Sequence, residues 1–97
     1  MNYQIRILST AYSDIAEIIP VLNQVSANWA SRFVDELERR FELLETMPKL
    51  YVTYTDMPDF RKINIEGFLV FYTVDDTQQT VEIHRIINGK MDISKIL

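Results

Sequence analysis

Apolar and polar residues alternate from Tyr3 through Gln4, Ile5, Arg6 and Ile7, so Tyr3, Ile5 and Ile7 share one side, the period of a half-buried strand. Past Ser9 and Thr10, either of which can cap a helix, the period changes. Ala11, Ile15, Ile18, Ile19 and Leu22 recur at helical spacing. Pro20 falls inside that pattern, which predicts a kink or a helix that stops near Ile19 and restarts. Ser26 and Asn28 are candidate caps for a second helix. Its inner stripe is Ala30, Phe33, Val34, Leu37, Phe41, Leu44 and Met47, and Pro48 sets its end. The outer face bears Asp35, Glu36, Glu38, Arg39, Glu42 and Glu45, with Asp35–Arg39 and Glu36–Arg40 at salt-bridge spacing.

From Lys49 to Asp59 the chain crosses toward a region of strands, carrying Tyr51, Tyr54, Met57 and Pro58. The run Phe60 to Val74 reads as a hairpin turning at Glu66-Gly67, since a tight two-residue loop favours glycine at its second position. The register follows from the turn. Ile65 faces Phe68, Ile63 faces Val70 and Arg61 faces Tyr72 on the core side; Asn64 faces Leu69 and Lys62 faces Phe71 on the other. A polar loop from Asp75 to Gln79 leads to a last strand, Thr80 to Ile87, which Asn88-Gly89 closes. The tail carries Met91, Ile93, Ile96 and Leu97 and is expected to fold back onto apolar surface. The predicted order is β-α-α-β-β-β over one domain, residues 1–97. This is an α+β fold: a small, largely antiparallel sheet with both N-terminal helices on one face.

Composition narrows the chemistry. The absence of cysteine excludes disulfides and thiol nucleophiles, and a single histidine, His84, argues against a His/Cys metal site, so no metal or cofactor is expected. No apolar run approaches the length of a membrane span and no signal peptide opens the chain, which makes a cytoplasmic protein the expectation. The net charge of −4 is uneven. All of the acidic excess lies before Phe60, and the sheet-forming half balances its charges. The broad basic face of a strong nucleic-acid binder is missing.

With these elements in order, the chain resembles the ParE/RelE superfamily of toxins from type II toxin–antitoxin modules. The likeness lies in the helix start at Ala11 to Ile19, the long second helix ending at Met47-Pro48, the Arg61 strand, the Gly67–Tyr72 hairpin arm, and IINGKMDISKIL at Ile86 to Leu97. The closing segment is similar to the ParE branch; Arg61, Arg85, Lys90 and Asp92 match family positions. The resemblance implies a growth-inhibiting bacterial protein silenced by a cognate antitoxin that wraps it as helix or strand. Lys62, Asn64, Leu69 and Phe71, on the hairpin side away from the helices, form an apolar strip with a polar rim and are the expected antitoxin contacts. The alternative is that the C-terminal tail covers them.

The superfamily has two activities. A RelE-like ribosome-dependent mRNA endoribonuclease needs a base, an acid and cations on the phosphate, for which Arg61, His84, Arg85 and Lys90 are the main candidates, beside Tyr72 and Glu82. Against it, Leu69 stands where that branch usually has arginine, and the tail lacks the terminal tyrosine RelE-like enzymes commonly carry. His84 and Arg85 also point to opposite faces of a strand unless a bulge intervenes. The ParE-like branch implies an inhibitor of a protein target such as DNA gyrase, not an enzyme, with Arg85, Lys90, Met91 and Asp92 as the expected target contacts. A salt bridge between Arg85 and Asp92 that pins the tail is the structural alternative. A degenerate, non-toxic member that still binds an antitoxin is a third reading.

Overall fold

The computed structural model describes residues 2–90. Its elements are β1 (Gln4–Ile7), α1 (Ser9–Val25), α2 (Ala27–Thr46), β2 (Thr53–Tyr54), β3 (Met57–Ile65), β4 (Phe68–Asp75) and β5 (Thr80–Asn88). The strands form one sheet in the order β1-β5-β4-β3-β2, with β1 parallel to β5 and every other pair antiparallel. This is the expected α+β arrangement with one addition, the short β2 at the rim. A two-residue strand has too little periodicity to register in a sequence pattern.

The hairpin forms in the predicted register, from Ile65 opposite Phe68 to Arg61 opposite Tyr72. Its turn needs left-handed backbone at both central residues, and Glu66 (φ 51°) and Gly67 (φ 88°) supply it. Ile63, Ile65, Val70 and Tyr72 then face the helices and join Val81, Ile83 and Ile86 of β5 in the core. Ala11 and Leu22 of α1 and Ala30, Phe33, Leu37 and Leu44 of α2 close it from above. Phe33 meets Phe68 edge to face, ring centroids 5.2 Å apart, which locks α2 to the turn end of the hairpin.

Four local expectations are corrected. First, of the two outcomes expected at Pro20 the stop is ruled out, since α1 is continuous to Val25. Ile18, Ile19 and Leu22 on either side of it all pack into the core, and that burial outweighs the ~3 kcal/mol intrinsic cost of an interior proline. Second, the N-cap is Leu8, whose apolar side chain offers no cap acceptor; its backbone is still extended because its amide is held in the sheet by the Ile83 carbonyl at 3.0 Å. The second helix keeps its expected cap, Ser26, whose hydroxyl accepts from the Trp29 amide at 3.3 Å. Third, Arg39 pairs with Glu36, not Asp35; Glu36 receives both Arg39 (2.9 Å) and Arg40 (3.2 Å), and the Arg39 hydrogen bond holds its carboxyl below the ordinary carboxylate range. Fourth, Met47 is exposed as the C-cap of α2 and leaves the inner stripe. Among the described residues no helix is long and apolar enough to cross a membrane.

Candidate functional site

The candidate residues collect around the centre of β5, where the sheet departs from regular pairing. Phe71 lies opposite Arg85, but its neighbour Tyr72 lies opposite Ile83, so His84 and Arg85 share one step of the ladder. This is a β-bulge. It lets both Ile83 and Ile86 enter the core, which strict alternation forbids. The signal for it was present: Val81, Ile83 and Ile86 cannot all face one side of a regular strand.

The bulge does not join His84 and Arg85 into one site. His84 turns to the face away from the helices, where its ring meets Phe60 edge to face at 4.9 Å and its Nε2 lies 2.8 Å from the Thr73 hydroxyl. Burial pulls its pKa below the usual histidine value, against a smaller opposing pull from the Glu82 charge. Its backbone carbonyl accepts from the Thr10 hydroxyl of α1 at 2.8 Å. Arg85 instead reaches α1. Its Nε and Nη2 donate to the two oxygens of Asp14 at 2.8 and 3.0 Å, and Asp14 also accepts from the Ile86 amide at 2.9 Å. The carboxylate thus closes a fork on the guanidinium and satisfies one amide next to the bulge. Among the described residues Arg85 is thus paired with Asp14, and the alternative pairing with Asp92 falls outside them. Asp14 was not among the predicted site residues; nothing in the sequence pairs positions this far apart.

Arg61 is likewise occupied. Its Nη1 donates to the carbonyls of Tyr51 (2.7 Å) and Lys49 (3.4 Å), not to the Tyr72 ring. The Tyr72 hydroxyl donates to the Pro48 carbonyl at 2.9 Å. Its ring is buried, and burial pushes its pKa up to about 12, with the neighbouring Arg61 charge working the other way. Both side chains tie the connection between α2 and β2 to the sheet, because carbonyls outside any ladder need donors.

On the face away from the helices, Lys62, Asn64, Leu69 and Phe71 occupy the positions the register assigns. Asn64 is exposed, Lys62 and Leu69 are half-buried, and Phe71 is fully buried. The expected apolar strip is therefore covered at Phe71, and the alternative that the C-terminal tail covers it falls outside the described residues. Tyr54 of β2 meets Phe71 edge to face at 5.5 Å, and the Lys62 ammonium sits 5.7 Å above the Tyr54 ring. Lys90 is exposed, its amide donating to the Asn88 side chain at 3.0 Å. Met91 and Asp92 lie outside the described residues.

The sequence of residues 5–93 matches the family model for the ParE toxin of the type II toxin–antitoxin system parDE. The chain belongs to the ParE toxin family. Its fold is shared more widely. It is similar to a chromosomal ParDE system of P. aeruginosa at 16% identity (TM-score 0.69; 89% of this chain and 95% of that one). It is equally similar to a free E. coli RelE double mutant at 15% identity (TM-score 0.69; all of both chains). The RelBE2 toxin–antitoxin complex of Mycobacterium tuberculosis follows at 19% identity (TM-score 0.61; 91% of this chain and 99% of that one). No individually curated protein is significantly similar in sequence. At these identities the structural likeness carries the architecture alone, and it extends to ParE-like and RelE-like proteins alike.

Proposed function

We propose that this ParE-family chain is the toxin of a two-protein module, that a cognate antitoxin silences it, and that it inhibits growth by binding a protein target such as DNA gyrase. The observation that carries the choice of branch is the divergence at the β5 bulge. A phosphodiester-cleaving site needs a proton-transfer group and a cation on one phosphate. Here the His84 ring and the Arg85 guanidinium end on different partners, Thr73 and Phe60 against Asp14, and Arg61 is held by backbone carbonyls. The acidic balance of the chain supports the same reading, since an RNA-directed surface favours net positive charge.

In this reading the antitoxin lies on the face away from the helices, against Lys62, Asn64, Leu69 and Phe71, and the target meets the exit of β5 at Lys90, Met91 and Asp92, with Arg85 positioned by Asp14. Antitoxin engagement at Phe71 then requires Tyr54 to move aside.

Induced expression in a bacterial host tests the proposal. Growth arrest with a DNA-damage response and intact mRNA is the expected result; arrest with cleaved mRNA would move the chain to the nuclease branch. Absence of arrest would mark a non-toxic antitoxin-binding member. At equal expression, Arg85→Ala should relieve growth inhibition more than His84→Ala, and the reverse ranking would favour the nuclease.

A further inference from the structure

β1 is an edge strand that pairs only with β5. The Gln4 amide donates to the Gln79 carbonyl at 2.9 Å and the Leu8 amide to the Ile83 carbonyl at 3.0 Å, so the even-numbered residues turn their backbone groups toward β5. In a parallel ladder the alternate residues then present theirs to the outside. Tyr3 uses its outward amide on the Glu45 carbonyl of α2, at 2.7 Å. Among the described residues nothing pairs with the edge at Ile5 and Ile7.

Beside this edge runs an open trough of about 460 Å³. Ile5, Ile7 and Phe41 form its apolar floor, and Glu38, Glu42 and Glu45 line it along α2. Those carboxylates stand at i, i+4 and i+7, on one side of the helix. Among the described residues none of them enters an ion pair, although the neighbouring Glu36 holds two arginines. Helical rise puts them roughly 6 and 4.5 Å apart along α2, the first spacing near the ~6.6 Å between same-side residues of an extended strand and the second shorter, a difference long flexible side chains can span. An apolar floor, unpaired amides and a negative wall occur together only here among the described residues. A second copy of this chain fits poorly, because two-fold pairing through β1 brings the two glutamate rows together.

The geometry points to β1 as a docking edge for an extended basic segment of another protein. The backbone of that segment pairs with Ile5 and Ile7. Its lysine or arginine side chains, at alternate positions, lay their aliphatic stems along Ile5, Ile7 and Phe41 and bring their cationic ends to Glu38, Glu42 and Glu45. This edge is separate from the residues of the toxin reading and holds whether or not the chain arrests growth.

The probe is a short end-blocked peptide alternating lysine with valine, titrated into the full chain at low ionic strength and followed by calorimetry and by backbone amide NMR. Saturable binding is expected, with the largest amide changes at Ile5, Ile7 and Glu38 to Glu45. The combined variant Glu38→Gln, Glu42→Gln and Glu45→Gln should weaken it about tenfold, the scale of three exposed charge pairs. N-methylation of the peptide's alternate amides should abolish it while leaving the peptide's charge intact. The inference is overturned by absence of saturable binding, by equal binding of a peptide alternating glutamate with valine, or by amide changes centred on β3. Self-association of the chain through β1 would overturn it as well.

Discussion

The two edges of the sheet are finished in opposite ways. At the β2–β3 edge, the connection after α2 is strapped down: Arg61 holds the Tyr51 and Lys49 carbonyls, Tyr72 holds that of Pro48, and Arg40 donates to the Tyr51 hydroxyl at 3.0 Å while its guanidinium lies 5.5 Å from the ring centroid. The backbone itself joins in, the Lys62 amide donating to the Val52 carbonyl at 3.1 Å. At the β1 edge one backbone bond, from Tyr3 to Glu45, is followed, among the described residues, by bare strand beside exposed Glu38 and Glu42 and half-buried Glu45. An open strand edge invites pairing, and proteins close, twist or charge such edges to limit it. Among the described residues the chain closes one with its own connection and leaves the other open behind a row of negative charge. The closed edge therefore contributes to stability, and the open one contributes to selection among partners.

That contrast is sharpest in the response to substitution. Arg61→Ala should cost the most, roughly 2 kcal/mol of unfolding free energy in urea, because a charged donor to otherwise unpaired carbonyls is lost. It should also speed amide exchange across residues 49–54. Tyr72→Phe should cost about 1 kcal/mol at neutral pH through the lost bond to Pro48. It carries a pH signature too. The phenol ordinarily ionises near 10, and in the fold its pKa is raised to about 12, so the folded state favours the neutral ring. The corresponding stabilisation is complete below pH 10 and is lost as pH rises toward 12, a fall of roughly 2–3 kcal/mol by proton linkage that should be missing from Tyr72→Phe. Urea midpoints across that range check the sign.

Tyr51→Phe removes only the phenol that Arg40 reaches and keeps the ring beneath the guanidinium. A loss of about 0.5–1 kcal/mol is expected. Smallest of all is the response of the open edge. Replacing Glu38, Glu42 and Glu45 together by glutamine should leave the unfolding free energy within about 0.5 kcal/mol, since exposed or half-exposed side chains without an ion pair among the described residues have little to lose. A large destabilisation there would mean that the glutamates are structural and that the two edges are alike.

How much of this was legible beforehand depends on the range of the interaction. The hairpin register could be written from Glu66-Gly67 because a two-residue turn determines every pair that follows it. The second helix, its Ser26 cap and its end before Pro48 were legible for the same reason: each signal lies within a few residues of what it controls. The β5 bulge left a readable trace in the spacing of Ile83 and Ile86, although without a partner strand that spacing does not say which residue is extra. Of the candidate site residues, the positions of Lys62, Asn64, Leu69 and Phe71 on the outer face followed from the register. That Tyr54 packs edge to face on Phe71, that Asp14 holds Arg85 and that Arg61 grips the Tyr51 carbonyl did not.

Taken alone, the order of residues determined the element sequence, the side of the hairpin that turns inward and the resemblance to ParE-like toxins, all of which rest on periodicity and on turn or cap chemistry acting locally. Only the folded chain decided that α1 runs through Pro20, that the two candidate cations of the sheet are already engaged, and that one edge is strapped while the other is left open. Those outcomes turn on which distant groups come within a few ångströms of one another, where burial and charge-assisted hydrogen bonds outweigh local preference.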